Sequence, residues 1–177
     1  MNRSSSHVAP QRSVAILRNV TPNDASAIFR IARTVELDMN SHYIYTLWCR
    51  DYSEYTAIAL DDNGGVLGFI MCYPRPSDPD HLFIWQAGII PEARGLGLAV
   101  ALLHHVFSGK FSYVECTITP NNSASLRFLQ KFADQVGAPL KISLFLSEED
   151  LGGSGHERED LVSIGAIPAM ASQPVTS

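Results

Sequence analysis

The sequence of 177 residues has little cysteine and no long apolar run. Its three cysteines, Cys49, Cys72 and Cys116, are an odd number without a Cys-x-x-Cys pair, which favours reduced thiols in a cytoplasm over a disulfide framework. No apolar run approaches the ~18 residues that a membrane-spanning helix needs, and the polar N-terminus lacks the apolar segment of a secretory leader. We therefore expect a cytoplasmic protein without a membrane segment.

Positive charge is also sparse. Thirteen Lys and Arg face eighteen Asp and Glu, which gives a formal net charge of −5. Because no dense basic run occurs, a nucleic-acid partner is not expected. The six histidines do not fall at metal-ligand spacings: His104 and His105 are adjacent on different faces of a predicted helix, so one zinc ion cannot readily bind both. We expect no metal.

The two ends of the chain differ in composition from its middle. Residues 1–13 contain Ser and Arg without any periodicity, and residues 166–177 carry no charged side chain. We interpret both as flexible tails, 1–13 and 166–177, around one domain at 14–165. A chain of this length suits a single sizeable core.

Changes of hydrophobic period predict the secondary structure of that domain. The predicted strands cover 14–18, 56–60, 66–73, 82–90, 111–118, 140–146 and 160–164, and the predicted helices cover 22–34, 43–49, 97–108 and 123–137. The acidic and glycine residues of Asp61–Gly65 predict a hairpin between the second and third strands. The order β-α-α-β-β-β-α-β-α-β-β indicates an α/β (α+β mixed) fold, with one central mixed sheet and helices on both faces.

The stretch 85–99 contains the strongest chemical signal. Pro91 ends a strand, and Arg94-Gly95-Leu96-Gly97-Leu98-Ala99 opens a helix. Glycines let a pyrophosphate approach the backbone, a helix N-terminus offers unpaired N–H groups, and Arg94 can add a charge-assisted contact. Taken alone, such a turn also serves merely to pack a helix on a sheet. The third glycine of a Rossmann fingerprint and the Gly-Lys-Ser/Thr of a Walker loop are both missing.

The turn resembles the acetyl-CoA signature of the GNAT acetyltransferases, Arg/Gln-x-x-Gly-x-Gly/Ala, as Arg94-x-x-Gly97-x-Ala99. That family's second motif is resembled by Asn121-x-x-Ala124-x-x-x-Phe128-x-x-Lys131, after the next predicted strand. The resemblance covers nearly the whole domain and implies the GNAT acyl-CoA N-acyltransferase fold, with acetyl-CoA as cosubstrate. The cofactor-binding residues that it implies are Ala87, Gly88, Ile89, Arg94, Gly95, Leu96, Gly97, Leu98, Ala99, Asn121, Ser125 and Phe128.

The resemblance also implies the chemistry, which is direct attack of a neutral amine on the thioester carbonyl. Backbone N–H groups of a splayed strand near Gly88 and Ile89 would polarise that carbonyl. Gly88 in an otherwise bulky strand is consistent with a bulge or a close ligand approach. Phe128 stands where many relatives carry a tyrosine that protonates the leaving thiolate, so the thiolate, with an unperturbed pKa of ~8.5, leaves as such or takes its proton from water.

Three further segments, 36–43, 82–86 and 115–122, narrow the acceptor amine. Together with 152–157 they resemble the diaminobutyrate acetyltransferases among the GNAT enzymes, which acetylate the γ-amine of L-2,4-diaminobutyrate in ectoine synthesis, a response to osmotic stress. That resemblance implies the same diamine substrate and a homodimer. Alternatives left open are another small diamine, such as lysine, ornithine or a polyamine, and a non-catalytic acyl-CoA sensor.

A small dication requires anionic side chains and an aromatic wall around it. Asp38 and Glu115 are the candidates for contacts with the ammonium groups, and Trp85 and Tyr43 are the candidates for the wall. Glu115 is also the candidate general base for the reacting amine. The further substrate contacts that the resemblance implies are Asn40 and His156.

Each candidate has a simpler alternative. Asp38 also fits a helix cap or a turn with Asn40, Trp85 and Tyr43 also fit ordinary packing, and His156 also fits an exposed loop. Strand alternation places Glu115 on the opposite face from Val114 and Cys116, so we interpret Cys116 as a buried thiol and not a nucleophile. Since the α-amine of a diamino acid is the less basic one, γ-acetylation would depend on positioning.

Overall fold

The computed structural model of the protein describes residues 15–153, 155 and 157–168. Within them the elements follow one another in the predicted order, which is therefore confirmed. The strands are β1 Ile16–Asn19, β2 Thr56–Leu60, β3 Val66–Pro74, β4 His81–Ile89, β5 Tyr113–Ile118, β6 Leu140–Leu146 and β7 Glu159–Ile164. The helices are α1 Ala25–Thr34, α2 His42–Asp51, α3 Leu98–Phe107 and α4 Ser123–Val136.

All seven strands join one mixed sheet in the order β1-β2-β3-β4-β5-β7-β6. Each neighbouring pair is antiparallel except β4 and β5, which are parallel. A parallel pair needs a crossover connection, and α3 supplies it between β4 and β5. The single parallel pair therefore lies in the middle of the sheet, next to the predicted phosphate turn.

The sheet has an apolar core on each face, as predicted. Helices α3 and α4 pack on one face against strand residues such as Ile70, Leu82 and Val114. Helices α1 and α2 pack on the other face, against residues such as Ile58 and Phe69. Among the helices of the described residues, none is long and apolar enough to cross a membrane.

The turn between β2 and β3 forms as predicted because Asp61 satisfies its backbone. The Oδ1 atom of Asp61 accepts the N–H groups of Asn63 at 2.8 Å and of Gly65 at 2.7 Å. Gly64 adopts φ 81°, a conformation that glycine reaches without steric cost. The turn sets the antiparallel register of β2 on β3.

The C-terminal limit of the domain was predicted too early. Ile167 is buried with the α3 and α4 core, and its N–H donates to the carbonyl of Ser112 at 2.8 Å. The packed domain therefore extends past the predicted limit at residue 165. The remainder of both predicted tails lies outside the described residues, apart from Ala166 and Pro168.

An ion pair attaches the start of α1 to the edge strand β1. Both carboxylate oxygens of Asp24 accept from the guanidinium of Arg18 at 2.8 Å, and Oδ2 also accepts the N–H of Thr21 at 2.7 Å. The hydrogen bond from Arg18 is the largest cause that lowers the pKa of Asp24 to about 2. Burial of Asp24 opposes this shift, but because the net pKa is lowered, the ionised form is stabilised in the fold relative to the unfolded chain.

We expect Asp24→Asn to destabilise the protein at pH 7 by about 1–2 kcal/mol, after allowance for water around the partly exposed Arg18. Because the folded pKa is lowered, this contribution is present above about pH 4 and is lost as the pH falls towards 2. Urea unfolding of both proteins between pH 7 and pH 3 measures it. Asp62→Asn, on the exposed turn, is the matched control and should change little; an equal loss at every pH would contradict the assignment.

Candidate active site

The parallel strands β4 and β5 pair over only three residues and then part. His81, Leu82 and Phe83 pair with Tyr113, Val114 and Glu115, after which β4 continues to Ile89 and β5 continues to Ile118. Successive N–H groups of a strand point alternately to its two neighbours. Beyond Phe83, the N–H groups of β4 that point towards β5 therefore have no ladder partner there and can bind a ligand.

The glycine turn after β4 has the backbone that a phosphate site needs. Gly95 and Gly97 adopt φ 79° and 78°, in the left-handed region where a side chain is strained. Gly97 is the N-cap of α3, and the first helical hydrogen bond runs from the N–H of Ala101 to the carbonyl of Gly97 at 3.1 Å. The N–H groups of the preceding helical residues thus lack helical acceptors and are available to an anion.

A cleft of about 800 Å³ lies between this turn, the end of β4 and the start of α4. Its volume falls within the range of small-molecule sites. Ten of the twelve predicted cofactor-binding residues line it: Ala87, Gly88, Ile89, Arg94, Gly95, Gly97, Leu98, Ala99, Ser125 and Phe128. The two motifs, distant in sequence, therefore share one cleft.

Two predicted cofactor residues do not line the cleft. Leu96 is 55% exposed, and Asn121 lies in a smaller neighbouring pocket, where its Nδ2 donates to Glu157 at 3.3 Å. The adjacent residue Asn122 lines the cleft instead, and its side chain caps α4 by accepting the N–H of Ser125 at 3.0 Å. The preference for Asn at a helix N-cap is the signal by which Asn122 could have been found.

Two cations of α4 that the site prediction left out also line the cleft. Arg127 and Lys131 lie there together with Arg94, and the Nζ atom of Lys131 lies 3.9 Å from a Cβ position built on Gly97. Residues at i and i+4 share one face of a helix. This spacing turns both side chains towards the cleft, and together with Arg94 they give its lining a positive charge.

The bulge in β4 lies at Trp85 and not at Gly88. Met71 pairs with Gln86 and Cys72 pairs with Ile84, so Trp85 is the extra residue, whereas Gly88 stays in regular register with Phe69. A Cβ atom at Gly88 would lie 3.0 Å from the Phe69 ring and 3.2 Å from a methyl group of Val35. Gly88 is thus required by the close packing of the α1 end, which forms part of the cleft wall.

Gln86 connects the loop after α1 to the opened strand. Its Nε2 donates to the backbone carbonyl of Asp38 at 2.8 Å, and its Oε1 accepts from the hydroxyl of Tyr45 at 3.0 Å. The bulge at Trp85 reverses the alternation of side chains along β4, which allows Gln86 to make these contacts. Gln86 was not predicted as a site residue; it holds the segment that contains Asp38 beside the cleft.

Glu115, the predicted base, has both carboxylate oxygens engaged. It is only 6% exposed, and its Oε2 lies 2.7 Å from Nε of Arg75, an ion-pair distance without hydrogen-bond alignment. Its Oε1 lies 3.2 Å from Nδ1 of His81. Its neighbours Val114 and Cys116 lie in the core of the opposite face, as the alternation predicts. The base role of Glu115 stays a prediction.

Glu159 is the carboxylate that sequence reasoning missed. It is half-buried at the start of β7, and burial raises the pKa of its carboxyl, opposed by a hydrogen bond from Thr117 and reinforced by the charges of Asp38 and Asp160. The charge of Asp38 therefore acts on the Glu159 carboxyl. The register of Glu115 opposite Ser163 puts Glu159 on the face of Glu115, a relation that only the strand pairing reveals.

Cys116 lies close to these carboxylates but remains a neutral thiol. Burial raises its pKa to about 12, and the charges of Glu159 and Glu115 add to this effect. A thiolate is the nucleophilic form of cysteine, and almost none of it exists at neutral pH. A covalent cysteine mechanism is therefore not supported at this position.

The predicted aromatic wall is only partly assembled by the described residues. Trp85 is half-buried and stacks on Trp48 with ring centroids 4.1 Å apart. Tyr43 is 68% exposed because it lies on the outer side of α2, while the fully buried Tyr45 points to the sheet. Asn40 is half-buried in the loop before α2, and His156 lies outside the described residues.

We expect Gly97→Ala to lower the affinity for CoA about tenfold, because alanine is strained at φ 78° and moves the N–H groups at the start of α3. Gly137→Ala is the matched control: Gly137 also has a positive φ, of 65°, at the C-cap of α4 with open space around it. Both variants should lose similar stability in thermal unfolding, but only Gly97→Ala should weaken CoA binding in calorimetry. Equal affinities for CoA would contradict a cofactor role of this turn.

Comparisons with known proteins agree with this geometry. The sequence profile of the acetyltransferase (GNAT) family matches residues 24–133. The chain is 38% identical over 152 residues to an L-2,4-diaminobutyric acid acetyltransferase of Streptomyces coelicolor, covering 82% of this chain and 89% of the relative. It is 34% identical over 163 residues to the enzyme of the same name from Halomonas elongata, covering 89% and 84%.

Among solved structures, the fold resembles diaminobutyrate acetyltransferase EctA from Paenibacillus lautus in complex with its substrate L-2,4-diaminobutyric acid and coenzyme A. The TM-score is 0.82 at 26% identity, with 90% of this chain and 99% of that chain covered. The match of the family profile over more than half of the chain, together with these relatives, establishes the family. The chain belongs to the GNAT acetyltransferase family.

Proposed function

We propose that this protein transfers the acetyl group of acetyl-CoA to the γ-amine of L-2,4-diaminobutyrate, giving N4-acetyl-L-2,4-diaminobutyrate and CoA for ectoine synthesis. The observation that carries the proposal is that carboxylates adjoin the wall of the cleft: Leu37 lines the cleft, and the charge of the next residue, Asp38, acts on Glu159. An acyl-CoA site beside an anionic pocket fits a diamine acceptor. The names of the relatives support the same substrate.

Binding of the diamine follows from the charges on this face. Asp38 and Glu159 attract the two ammonium groups, and the stacked rings of Trp85 and Trp48 offer an apolar surface to the short carbon chain. Since Gln86 holds the backbone of Asp38, one carboxylate is fixed relative to β4. A pocket that binds the α-ammonium and the carboxylate of the substrate directs the γ-amine to the thioester, so position decides which amine reacts.

Glu159 is the general base in this proposal. The reacting ammonium must lose a proton before its lone pair can attack the carbonyl carbon. A carboxylate whose pKa is raised by burial accepts that proton more readily than an ordinary one, whereas Glu115 is engaged by Arg75 and His81. The N–H groups of β4 beyond Phe83 stabilise the oxyanion that forms when the amine attacks the carbonyl carbon, and the carbonyl re-forms as the C–S bond breaks. Phe128 at the cleft has no proton to give, so CoA leaves as the thiolate or takes its proton from water.

Turnover by the purified protein tests the function. Acetyl-CoA is mixed with diaminobutyrate, ornithine, lysine and polyamines, free thiol is measured, and the product is identified by NMR. We expect the highest kcat/KM with diaminobutyrate and acetylation at the γ-nitrogen. A higher kcat/KM on another amine would refute the substrate, α-acetylation would refute the positioning argument, and CoA binding without any turnover would favour a sensor.

Matched amide variants test the base. Glu159→Gln should lower kcat by about 10²–10³-fold and remove the low-pH limb of the kcat/KM profile, because that limb reports the deprotonation of the base. The limb should rise through the elevated pKa of Glu159. Glu115→Gln should retain the limb, since its carboxylate does not accept the proton. The reverse result would assign the base to Glu115, as the sequence first indicated.

The proposal includes a homodimer in the cytoplasm. The three described cysteines are free and buried, which supports a reducing compartment. Strand β6 forms one edge of the sheet and exposes Ile142, Leu144 and Phe145 by 49%, 63% and 42%. An open apolar edge of this kind favours pairing with a second copy.

Leu144→Lys should therefore shift the protein from dimer to monomer in light scattering coupled to gel filtration. Ile16→Lys is the control, because Ile16 is an exposed apolar residue on the opposite edge strand, β1. A monomeric wild-type protein, or an unchanged mass for Leu144→Lys, would remove β6 as the dimer edge.

A further inference from the structure

A largely buried charged group lies on the same face of the sheet as Glu159, and the mechanism above does not use it. It consists of Arg75, His81 and Glu115 and is called the Arg75 cluster below. The Glu115 carboxylate lies between Arg75 at 2.7 Å and His81 at 3.2 Å, and the side chains of Arg75 and Glu115 are 19% and 8% exposed. Buried ion pairs often contribute no more stability than apolar residues of similar volume, so stability alone is a weak reason for this cluster.

Arg75 contacts side chains from three different strands. Its guanidinium carbon lies 4.7 Å from the ring centre of Phe83 on β4 and 5.3 Å from that of Phe145 on β6. Its Nε contacts Glu115 on β5. The planar guanidinium is suited to such stacking between aromatic rings. Arg75 therefore joins elements that no direct strand pairing connects, since β6 is the far edge of the sheet.

The cluster lies at the point where β4 and β5 part. Phe83 and Glu115 are the last paired residues of the two strands, and the ring of His81 stacks on its strand partner Tyr113 with centroids 4.3 Å apart. The stacking of His81 on Tyr113 reinforces the strand pairing before Leu82, and the contact of Arg75 with Phe83 reinforces it after Leu82. Beyond Phe83 the two strands no longer pair. A fixed last pair sets the angle at which the strands diverge.

The other end of the cluster leads to Glu159. Phe145 is the bulge residue of β6, between Leu144, which pairs with Asp160, and Leu146, which pairs with Glu159. The contact between Arg75 and Phe145 therefore fixes β6 beside the first residue of β7. A displacement there would move the Glu159 carboxylate relative to β4.

We propose that the Arg75 cluster is a positioning group: it sets where β4 and β5 part and holds the hairpin of β6 and β7 so that Glu159 faces the opening. This inference rests on the proposed function, because it concerns the alignment of the acceptor amine between Glu159 and the thioester. Its members act through other residues and do not touch the reacting atoms. In this proposal the charges of the cluster fix the geometry of the site and do not add net stability.

Three variants of the full chain test the proposal: Arg75→Met, Glu115→Leu and the double variant. Arg75→Met removes the closer of the two partners of Glu115 and Glu115→Leu leaves Arg75 without its carboxylate, so each single variant should lower Tm, whereas the double variant removes both charges and should fold with a Tm near the wild-type value. In the double variant we expect a higher KM for diaminobutyrate and a lower kcat, with about a 10²-fold loss in kcat/KM. The Kd of CoA should be unchanged. The control is Lys110→Met with Glu54→Leu, which removes an exposed pair and should leave the kinetics unchanged.

Hydrogen exchange supplies a readout that does not need activity. In the double variant, the amides of residues 81–89 and 159–162 should exchange faster, while those of α3 and α4 should not. If the double variant has the kinetics and the amide exchange rates of the wild type, the cluster is only a stabilising contact and the proposal is overturned. A Glu115→Leu variant that loses kcat and the low-pH limb with unchanged KM would also overturn it, by making Glu115 the base. If the wild-type protein does not acetylate diaminobutyrate, the proposed function fails, and the exchange result still decides the role of the cluster.

Discussion

The site depends on the parting of two parallel strands. Backbone donors in a sheet are normally paired, but the pairing of β4 with β5 ends at Phe83 and Glu115. The remainder of β4 keeps its ladder with β3 but offers its other N–H groups to a ligand. A sheet paired along its whole length would have no opening, and the glycine turn, the cleft and the carboxylates would not meet.

Close packing on the α1 face keeps the opened strand rigid. Gly88 leaves no room for a side chain between Phe69 and Val35, and Gln86 holds the backbone of Asp38. This wall of the cleft is therefore formed by the end of α1 and the loop after it, which pack directly on β4 where β4 no longer pairs with β5. Rigid elements of this kind position reacting groups better than free loops.

Two glutamates on the same face of the sheet illustrate how environment separates roles. The carboxylate of Glu115 contacts Arg75 and His81, so it interacts with groups of the protein itself. Burial raises the pKa of Glu159, the hydroxyl of Thr117 opposes this effect, and the charges of Asp38 and Asp160 add to it. The environment of Glu159 favours a group that accepts a proton and attracts a cation.

The sequence by itself determined what depends on neighbours along the chain. Helix and strand periods, the Asp61 turn and the left-handed glycines of the phosphate turn are local, so their positions could be predicted to within a few residues. The same holds for the two motifs that meet in the cleft, because each follows a strand and opens a helix. The face on which Glu115 lies was also predictable, since strand alternation is local.

Only the tertiary structure decided which distant side chains meet. Arg75 pairs with Glu115 across the sheet, the bulge at Trp85 reorients Gln86, and the pairing of β5 with β7 puts Glu159 on the face of Glu115. None of these contacts has a local signature, because strand order and register are set by packing over the whole domain. The sequence therefore indicated the cofactor cleft well and the acceptor carboxylates only in part, since the first is built from local turns and the second from long-range pairing.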